Sequence, residues 1–371
     1  MGKAILVVGT RPNFIKAAPL YRALVQHSAF EPILVHTGQH YDFNMSDVFL
    51  SQLGLPIPKH NLKSGSGTHG VQTGRMLIGM DEVLVAEKPD VVVVIGDTNT
   101  ALAGALSAYK LGIPVAHVEA GLREFIWRPE EINKKIADHC SDFCFCPTPT
   151  AVANLASEGM PENRVFLTGD ITYDAFLQAM ERLRPSGEML STFGVEPGSY
   201  ALLTLHRAET VDRPDLLTAI VDQLIASDAV FVFPVHPRTR RRLHEFGLMP
   251  RVVKARNIKL MEPVGYFEFL DLMLSSRIVV TDSSGVLKDA FYSRRPCLVV
   301  DETTEYVELL PLGMTVLVGR DARALRPSME RLWNAPFEVA DFPLGDGHAA
   351  EKMVDILNKA DLVGLKKSRI G

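Results

Sequence analysis

One short stretch in the first third of the chain constrains the fold more than any other feature. Residues 91–95 read Val-Val-Val-Val-Ile and are followed at once by Gly96 and Asp97. A strand with one face in water alternates apolar and polar residues, and this stretch does not alternate. A run that is apolar at every position is typical of a strand covered on both faces by helices. The stretch therefore predicts an α/β fold built on a parallel sheet.

The first half of the chain alternates short apolar strands with amphipathic helices. Strands are predicted at residues 4–8, 32–36, 91–95 and 114–118, and helices at residues 14–27, 70–87, 98–111 and 130–140. Strands that alternate with helices form parallel sheets with right-handed crossovers. The first half is therefore predicted to form one doubly wound domain.

The pattern restarts near residue 200, which predicts a second doubly wound domain. Strands are predicted at residues 200–204, 230–235, 258–260, 278–281 and 297–300, with helices at residues 215–226 and 349–362 and a frayed basic tail at residues 366–370. The stretch 168–197 contains the turn-forming Arg184-Pro185-Ser186-Gly187 and holds the boundary. We place the domains at residues 1–170 and 171–350, followed by a C-terminal helix at residues 351–371, and a length of 371 residues suits this division.

Composition excludes several classes of protein. Charged residues make up 22% and hydrophobic residues 47% of the chain, so it is not disordered. The net charge of −5 argues against a nucleic-acid binder, and the arginines between residues 238 and 242 are interpreted as a solvated helix face. No apolar run reaches the roughly 18–20 residues of a membrane helix, and the first residues lack a signal-peptide pattern. We expect a cytoplasmic protein without a membrane partner.

The cysteine pattern does not favour a metal site. The chain has four cysteines, Cys140, Cys144, Cys146 and Cys297, without paired C-x-x-C motifs. A zinc site that also uses His139 would not match the usual spacing of tetrahedral ligands. We expect buried, reduced thiols and no metal.

Polar residues follow most of the predicted strands, at the edge of the sheet where ligands of open parallel sheets bind. Arg11 and Lys16 lie at the start of the first helix, where the helix N-terminus adds positive potential, and this predicts an anion site. The alternative is a pair of solvated charges at a helix start. The chain contains no G-x-G-x-x-G and no P-loop, which argues against NAD and ATP as cofactors.

The second domain contains a candidate phosphate site. Asp282-Ser283-Ser284-Gly285 follows a strand and opens a helix, so small residues would let a phosphate approach backbone N–H groups. The alternative is an ordinary N-cap. Asp289, one turn into that helix, could reach a ribose diol. His206-Arg207 and His236 follow two other strands and suit an anionic ligand.

Three acids of the first domain follow predicted strands or open a helix: Asp97, Glu119 and Glu130. Spacing alone leaves Glu130 and Glu131 interchangeable. Carboxylates that converge push their pKa values apart, which permits separate acid and base roles. The alternative is that Asp97 and Glu119 only cap the helices that follow them.

Together these motifs resemble the non-hydrolysing UDP-N-acetylglucosamine 2-epimerase family. The similarity covers essentially the whole chain in order and is carried by the segments Gly9-Thr10-Arg11-Pro12, Thr37-Gly38-Gln39-His40, Gly96-Asp97-Thr98, residues 117–123 (HVEAGLR), residues 129–133 (PEEIN), residues 204–209 (TLHRAE), residues 234–237 (PVHP) and Thr281-Asp282-Ser283. The resemblance implies two Rossmann-like domains that face a central cleft, as in GT-B glycosyltransferases. It also implies a last helix that crosses back to the first domain, and a homodimer.

The resemblance also implies roles for individual residues. The catalytic groups would be Asp97, Glu119, Glu130 and His206. The substrate-binding groups would be Arg11, Lys16, Arg207, His236, Ser283, Ser284, Gly285 and Asp289. The substrate would be a UDP-sugar, without cofactor, metal or nucleic acid, and UDP-N-acetylglucosamine could act as an activator near Gln39 and His40.

Departures from the common family pattern leave the exact sugar open. Ser284 replaces a glycine, Asp289 replaces a glutamate, and Asp301 stands where much of the family has arginine. Residues 123–129 and 303–308 resemble a subgroup that includes epimerases of diacetamido-uronic acid nucleotides. UDP-N-acetylglucosamine is the first expected substrate and a UDP-2,3-diacetamido-uronic acid the second, because Asp301 would repel a sugar carboxylate. The sequence is also compatible with a glycosyltransferase, a hydrolysing epimerase or a non-catalytic nucleotide-sugar sensor.

Overall fold

The chain forms two compact units in a computed structural model that describes residues 2–27, 29–39, 47–184, 188–335 and 342–370. Unit 1 consists of Met1–Gln178 together with Phe342–Gly371, and unit 2 consists of Ala179–Asp341. The sequence places the corresponding boundaries after residues 170 and 350. The predicted turn at residues 184–187 lies, apart from Arg184, outside the described residues.

Unit 1 contains a parallel sheet covered by helices on both faces. Its strands are β1 Gly2–Val8, β2 Phe30–His36, β3 His60–Asn61, β4 Val91–Ile95, β5 Val115–Val118, β6 Phe143–Cys146 and β7 Val165–Leu167. Its helices before the boundary are α1 Arg11–His27, α2 Asp47–Leu53, α3 His69–Glu87, α4 Asn99–Lys110, α5 Pro129–Cys140, α6 Pro149–Ser157 and α7 Ile171–Arg182, in which the boundary falls. Within the described residues the strand order is β3-β2-β1-β4-β5-β6-β7.

The core of unit 1 explains why the central strands are apolar throughout. All five residues of β4 are buried, and Val92 and Val94 pack in one cluster with residues of α3 and α4. Gly104 lets α4 approach the sheet closely, because a Cβ there would lie 2.8 Å from Val94 and 3.2 Å from Val7. This packing fixes the ends of β1, β4 and β5 relative to one another.

Unit 2 repeats the architecture on a smaller sheet. Its strands are β8 Tyr200–Thr204, β9 Val230–Pro234, β10 Ile258–Met261, β11 Ile278–Thr281, β12 Cys297–Val299 and β13 Thr315–Leu317. Its helices are α8 Glu188–Phe193, α9 Ala208–Val211, α10 Pro214–Ile225, α11 Pro237–Glu245, α12 Met249–Lys254, α13 Tyr266–Ser275, α14 Ser284–Tyr292 and α15 Leu325–Trp333. The described strands pair in parallel in the order β10-β9-β8-β11-β12-β13.

Both sheets have the strand order of a doubly wound fold, which confirms the predicted class. The order reverses between β1 and β4 in unit 1 and between β8 and β11 in unit 2. In such sheets the carboxyl ends of the strands at the reversal are where ligands bind. The residues after β1, β4, β5, β8 and β11 are therefore the first place to look for a site.

The chain returns to unit 1 after residue 341. Helix α16, Ala349–Lys359, begins on Asp174, whose carboxylate accepts hydrogen bonds from the N–H groups of Ala349 at 3.2 Å and Ala350 at 2.8 Å. Farther along α16, Asn358 Nδ2 donates to the carbonyl oxygen of His27 at 2.8 Å. The return of the C-terminal helix to the first domain, expected from the sequence, is thus present.

The predicted frayed tail at residues 366–370 is wrong, because helix α17 covers Leu362–Ile370. Arg369 donates to Asp142 at 2.8 Å and to the carbonyl oxygen of Ile113 at 3.1 Å, and its guanidinium lies 4.6 Å from the centre of the Tyr109 ring. The sequence at residues 366–370 shows Arg369 but not the groups that it binds. Its partners lie more than 200 residues earlier, so no local pattern indicates the docking.

Replacement of Arg369 by Ala is expected to lower the free energy of unfolding by about 1–3 kcal/mol, because charge-assisted hydrogen bonds contribute on that scale. Urea unfolding followed by circular dichroism measures the change. Lys367→Ala is the matched control, because Lys367 lies on the same helix and is exposed. Equal stability of the two variants would contradict the docking role of Arg369.

The four thiols are buried as expected, whereas arginines of α11 that were interpreted as solvated form ion pairs. Cys140, Cys144, Cys146 and Cys297 are free and buried, and burial raises the pKa of each thiol. On α11, Arg238 and Arg242 both bind Asp212, and Arg240 binds Glu262 at 2.7 Å. Among the described residues, no helix is long and apolar enough to cross a membrane.

Candidate active site

Lys16 and Glu119 form the closest ion pair at the sheet edge of unit 1. Lys16 lies in the second turn of α1, Glu119 follows β5, and Lys16 Nζ is 2.5 Å from Glu119 Oε2. The Glu119 side chain is only 4% exposed. Asp97 follows the neighbouring strand β4 and is half-buried. Two of the three predicted acids therefore follow adjacent strands, and one of them is paired with a predicted anion-binding cation.

The backbone of Glu119 is in an unusual conformation. Its φ of 68° lies in the left-handed region, which costs free energy for a residue with a side chain. The neighbouring turn holds it, since the N–H of Ala120 donates to the carbonyl oxygen of Phe145 at 3.1 Å and the N–H of Gly121 donates to Asp138 Oδ2 at 3.2 Å. Strain of this kind persists only where surrounding contacts fix it, and it is often found at functional sites.

Gly96 provides the room that Glu119 needs. Its φ is 73°, and a Cβ at this position would lie 3.2 Å from Glu119 Oε2. Only glycine combines the positive φ with this close approach at little cost. The position of the Glu119 carboxylate therefore explains why a glycine lies directly before Asp97.

Asn13 is a positioning residue that the sequence analysis missed. Its Oδ1 accepts from the N–H of Thr10 at 3.2 Å, and its Nδ2 donates to the carbonyl oxygen of Ile95 at 3.1 Å. Asn13 thus ties the start of α1 to the end of β4. Arg11 is the first residue of α1, and its guanidinium carbon lies 5.3 Å from the centre of the Phe49 ring.

The structure distinguishes Glu130 from Glu131, which spacing could not do. Glu131 is buried and accepts a hydrogen bond from Lys134 Nζ at 2.7 Å. Glu130 is half-buried in the first turn of α5, where the helix dipole favours a carboxylate. Glu130 remains the better candidate for a group that contacts a ligand.

Gln39 belongs to a polar network that reaches Asp97. Gln39 Oε1 accepts from Thr100 Oγ1 at 2.8 Å, and its carbonyl oxygen accepts from Gln72 Nε2 at 3.1 Å. Gln72 Oε1 accepts from Asn99 Nδ2 at 2.9 Å. Asn133 Nδ2 completes the path by donating to Asn99 Oδ1 at 3.3 Å and to the carbonyl oxygen of Asp97 at 3.0 Å. His40, the other predicted activator residue, lies outside the described residues.

In unit 2, Asp282 organises the ends of two neighbouring strands. It follows β11, is 1% exposed, and accepts hydrogen bonds from the N–H groups of His206 at 2.9 Å and Arg207 at 2.9 Å, which follow β8. A buried carboxylate that accepts several N–H bonds is well satisfied. Asp282 therefore holds the His206-Arg207 turn beside the start of α14.

Arg207 connects that turn to the start of α14. Its guanidinium donates to Asp301 Oδ2 at 2.7 Å and to Ser284 Oγ at 2.8 Å. Ser283 is the N-cap of α14, since its hydroxyl accepts from the N–H of Val286 at 3.4 Å. The N-cap interpretation is therefore correct for Ser283. A Cβ on Gly285 would lie 3.8 Å from Ser283 Oγ, an ordinary van der Waals contact, so side chains do not crowd this helix start.

His206 and His236 lie side by side, with ring centroids 5.4 Å apart. His236 caps α11 through an Nδ1 that accepts from the N–H of Arg238 at 3.2 Å. Burial lowers the pKa of His206, and Arg207 and Arg238 add to this effect while Asp282 opposes it. At neutral pH a lowered pKa favours the neutral imidazole, which can both donate and accept a proton. Asp289 lies on α14 and is buried.

Comparison with known proteins decides the family. The family model described as UDP-N-acetylglucosamine 2-epimerase matches residues 22–358. The chain belongs to the UDP-N-acetylglucosamine 2-epimerase family. The resemblance inferred from the motifs is therefore confirmed, and the fold is the GT-B-like fold of the solved members.

Two curated relatives within the family differ in their named substrate. The UDP-N-acetylglucosamine 2-epimerase of Methanocaldococcus jannaschii is 44% identical over 96% of this chain and 98% of its own length. The UDP-2,3-diacetamido-2,3-dideoxy-D-glucuronate 2-epimerase of Pseudomonas aeruginosa is 40% identical over 96% of this chain and 99% of its own length. A crystal structure of the M. jannaschii enzyme in complex with UDP-GlcNAc and UDP is similar with a TM-score of 0.90 and 44% identity, covering 96% of this chain and all of that one. The comparisons therefore establish the 2-epimerase family, and its members include enzymes named for two different sugar nucleotides.

Proposed function

We propose that the chain is a non-hydrolysing 2-epimerase that interconverts UDP-N-acetylglucosamine and UDP-N-acetylmannosamine. The observation that carries this proposal is the placement of Asp97 and Glu119 after adjacent strands, with Glu119 strained and paired to Lys16. A nucleotide-sugar sensor needs contacts to phosphate but has no use for carboxylates held in this way. Family membership gives the reaction type, and these residues supply groups suited to it.

The reaction follows from the chemistry of the sugar. The C2 proton is not next to a carbonyl, so direct removal would leave an unstabilised carbanion. The anomeric C1–O bond therefore breaks first, its electron pair leaves with UDP, and positive charge develops at C1, as in glycoside cleavage. A base then takes the C2 proton, and the C–H electron pair forms the C1=C2 double bond of 2-acetamidoglucal. Protonation of the other face of C2 and return of UDP to C1 give the epimer.

The candidate proton-transfer groups for this chemistry lie in unit 1. Removing a proton from one face of C2 and adding one to the other requires two proton-transfer groups, for which Asp97, Glu119 and Glu130 are the candidates. Arg11 and Lys16 would stabilise the charge on the departing diphosphate.

We assign recognition of the UDP part to unit 2. His206 is the catalytic candidate of this unit and Arg207 a phosphate contact. The remaining proposed contacts of the nucleotide are His236, Ser283, Ser284, Gly285 and Asp289. The route needs no cofactor and no metal.

A homodimer and activation by a second UDP-N-acetylglucosamine near Gln39 and His40 also belong to this proposal. The network from Gln39 through Gln72, Asn99 and Asn133 to the Asp97 carbonyl supports the second point, because it connects that loop to a proposed catalytic residue.

A UDP-2,3-diacetamido-uronic acid is the second candidate substrate. The P. aeruginosa relative, which is 40% identical, favours it. The charge argument against it is weaker in the structure than in the sequence, because Asp301 is buried and bound to Arg207 at 2.7 Å. A carboxylate paired in this way repels a sugar carboxylate less than an unpaired one.

Direct competition between the two sugar nucleotides tests the choice. We expect the larger kcat/KM for UDP-N-acetylglucosamine, measured by NMR of the anomeric and C2 protons in one mixture. A preference of about 10-fold or more for the uronic acid, equivalent to about 1.4 kcal/mol in the transition state, would overturn the first choice. Release of free N-acetylmannosamine and UDP would instead identify a hydrolysing epimerase.

A further inference from the structure

A group of four ionisable side chains in unit 1, three of them fully buried, has no part in the chemistry proposed above. His117 lies in β5 and Asp138 in α5, and both side chains are 0% exposed. Arg123 is buried as completely and binds Asp138 at 2.7 Å and Glu158 at 2.8 Å. Groups of this kind are costly to bury, so their arrangement calls for a physical reason.

Both ring nitrogens of His117 face hydrogen-bond acceptors. Nδ1 is 2.6 Å from Asp138 Oδ1, and Nε2 is 2.7 Å from the carbonyl oxygen of Gly96. A carbonyl oxygen has no proton to give, so Nε2 must donate. Asp138 accepts from Arg123 and from the N–H of Gly121 at its other oxygen, and an ionised carboxylate only accepts. Nδ1 must therefore donate as well.

Asp138 shares the cation Arg123 with a second carboxylate. Arg123 binds both Asp138 and Glu158, and the Glu158 side chain is 21% exposed. A protonated His117 supplies the buried Asp138 with a second positive charge. Burial alone would raise the pKa of Asp138, but His117 and Arg123 together hold that pKa below its usual value. The other titratable groups near Asp138 are Cys144 and Cys146, and because burial raises the pKa of both thiols they stay neutral. A second cation beside the buried Asp138 lowers the cost of burying its charge.

The hydrogen bond to Gly96 connects this group to two of the three proposed acids, Asp97 and Glu119. Gly96 immediately precedes Asp97, and its own N–H donates to the carbonyl oxygen of Val118 at 3.0 Å. A Cβ on Gly96 would lie 3.2 Å from Glu119 Oε2. Asp138 in turn binds the N–H of Gly121, two residues after Glu119. A shift of the His117 ring would therefore move the peptide that carries Asp97 and the strained turn that carries Glu119.

We propose that His117 is a positioning residue that works as a buried imidazolium: held by Asp138, it fixes the Gly96 carbonyl and thereby the placement of Asp97 and Glu119. The protonation state stands on the geometry of unit 1 alone. The positioning role rests on the proposed epimerase function.

The protonation state is tested by NMR of the full chain labelled with ¹⁵N-histidine at pH 7.5. The signal of His117, one of 11 histidines, is assigned by its loss in His117→Gln. If that variant does not fold, nuclear Overhauser contacts to Gly96 in the unaltered chain assign the signal. We expect directly bonded protons on both ring nitrogens. One bare ring nitrogen would overturn the proposal.

The positioning role is tested by kinetics of His117→Gln and His117→Phe, where Gln keeps a neutral donor and Phe keeps none. We expect His117→Phe to lower kcat about 100-fold, the scale of a small misplacement of catalytic groups. His117→Gln should lie between it and the unaltered chain. The affinity for UDP, measured by calorimetry, should change by less than about threefold, since distant sites act independently.

His244→Gln, an exposed histidine of α11, is the control. A folded His117→Phe variant with near-normal kcat would overturn the positioning role, as would equal losses of kcat and UDP affinity. No turnover by the unaltered chain would refute the epimerase function and with it the positioning role, while the NMR result would still decide the protonation state.

Discussion

Asp97→Asn, Glu119→Gln and Glu130→Gln are each expected to lower kcat for epimerisation by about 100-fold or more, because positioned acid and base groups contribute about 10²–10⁴-fold. Each amide has nearly the shape of the carboxyl group that it replaces but cannot exchange a proton. Since none of the three acids is among the residues proposed to contact UDP, calorimetry should show UDP binding largely intact. The Glu119 variant also loses the charge partner of Lys16, 2.5 Å away in the unaltered protein.

Glu82→Gln is the matched control for these variants, because Glu82 lies exposed on α3 of the same unit. Its kcat should equal that of the unaltered chain. The assignment of the carboxylates would be contradicted by near-normal turnover in all three variants. Glu131→Gln tests the choice of Glu130 over Glu131 as the catalytic acid. If Glu131→Gln lowers kcat more than Glu130→Gln does, and leaves the stability unchanged, Glu131 is the catalytic acid.

Arg207→Met is expected to weaken UDP binding about 10- to 100-fold, because a charge-assisted hydrogen bond to phosphate contributes about 1.5–3 kcal/mol. Removal of Arg207 also leaves the buried Asp301 without its 2.7 Å ion pair, which by itself would destabilise unit 2. The double variant Arg207→Met/Asp301→Asn separates the effect on UDP binding from the effect on stability, because it also removes the negative charge of Asp301. We expect it to regain stability while UDP binding stays weak.

Arg241→Met serves as the control, because the Arg241 side chain is 61% exposed on α11. Thermal unfolding gives the stability of each variant and calorimetry gives its affinity for UDP. Recovery of normal UDP affinity in the double variant would show that Arg207 acts only through Asp301, and would remove it from the proposed binding residues.

Three of the strands were predicted to the residue. The predicted strands at residues 91–95, 200–204 and 278–281 coincide with β4, β8 and β11. Each is buried at every position. Polar residues or glycine bound β4 and β11, so the pattern alone specifies the ends of these two strands. The two-residue strand β3 was missed, because His60 and Asn61 have no apolar pattern and pair only through the backbone of β2.

Predicting the candidate site depended on how far apart its partners lie in the sequence. Residues directly after strands, such as Asp97 and Glu119, could be found because topology places them at one edge of the sheet. The pairing of His117 with Asp138 could not, because it joins a strand to a helix 21 residues later. Nor could spacing show that Arg207 is held by Asp301, 94 residues away.

The central claim, that the chain breaks and remakes the C2–H bond of a UDP-sugar, is tested most directly by one incubation. UDP-N-acetylglucosamine is held with the full chain in deuterated water until equilibrium, and ¹H NMR follows the anomeric and C2 protons. We predict that UDP-N-acetylmannosamine forms and that both nucleotide sugars lose the C2 proton signal to deuterium, with traces of free UDP and 2-acetamidoglucal. An unchanged UDP-N-acetylglucosamine spectrum, or an epimer that retains protium at C2 after many turnovers, would contradict the account.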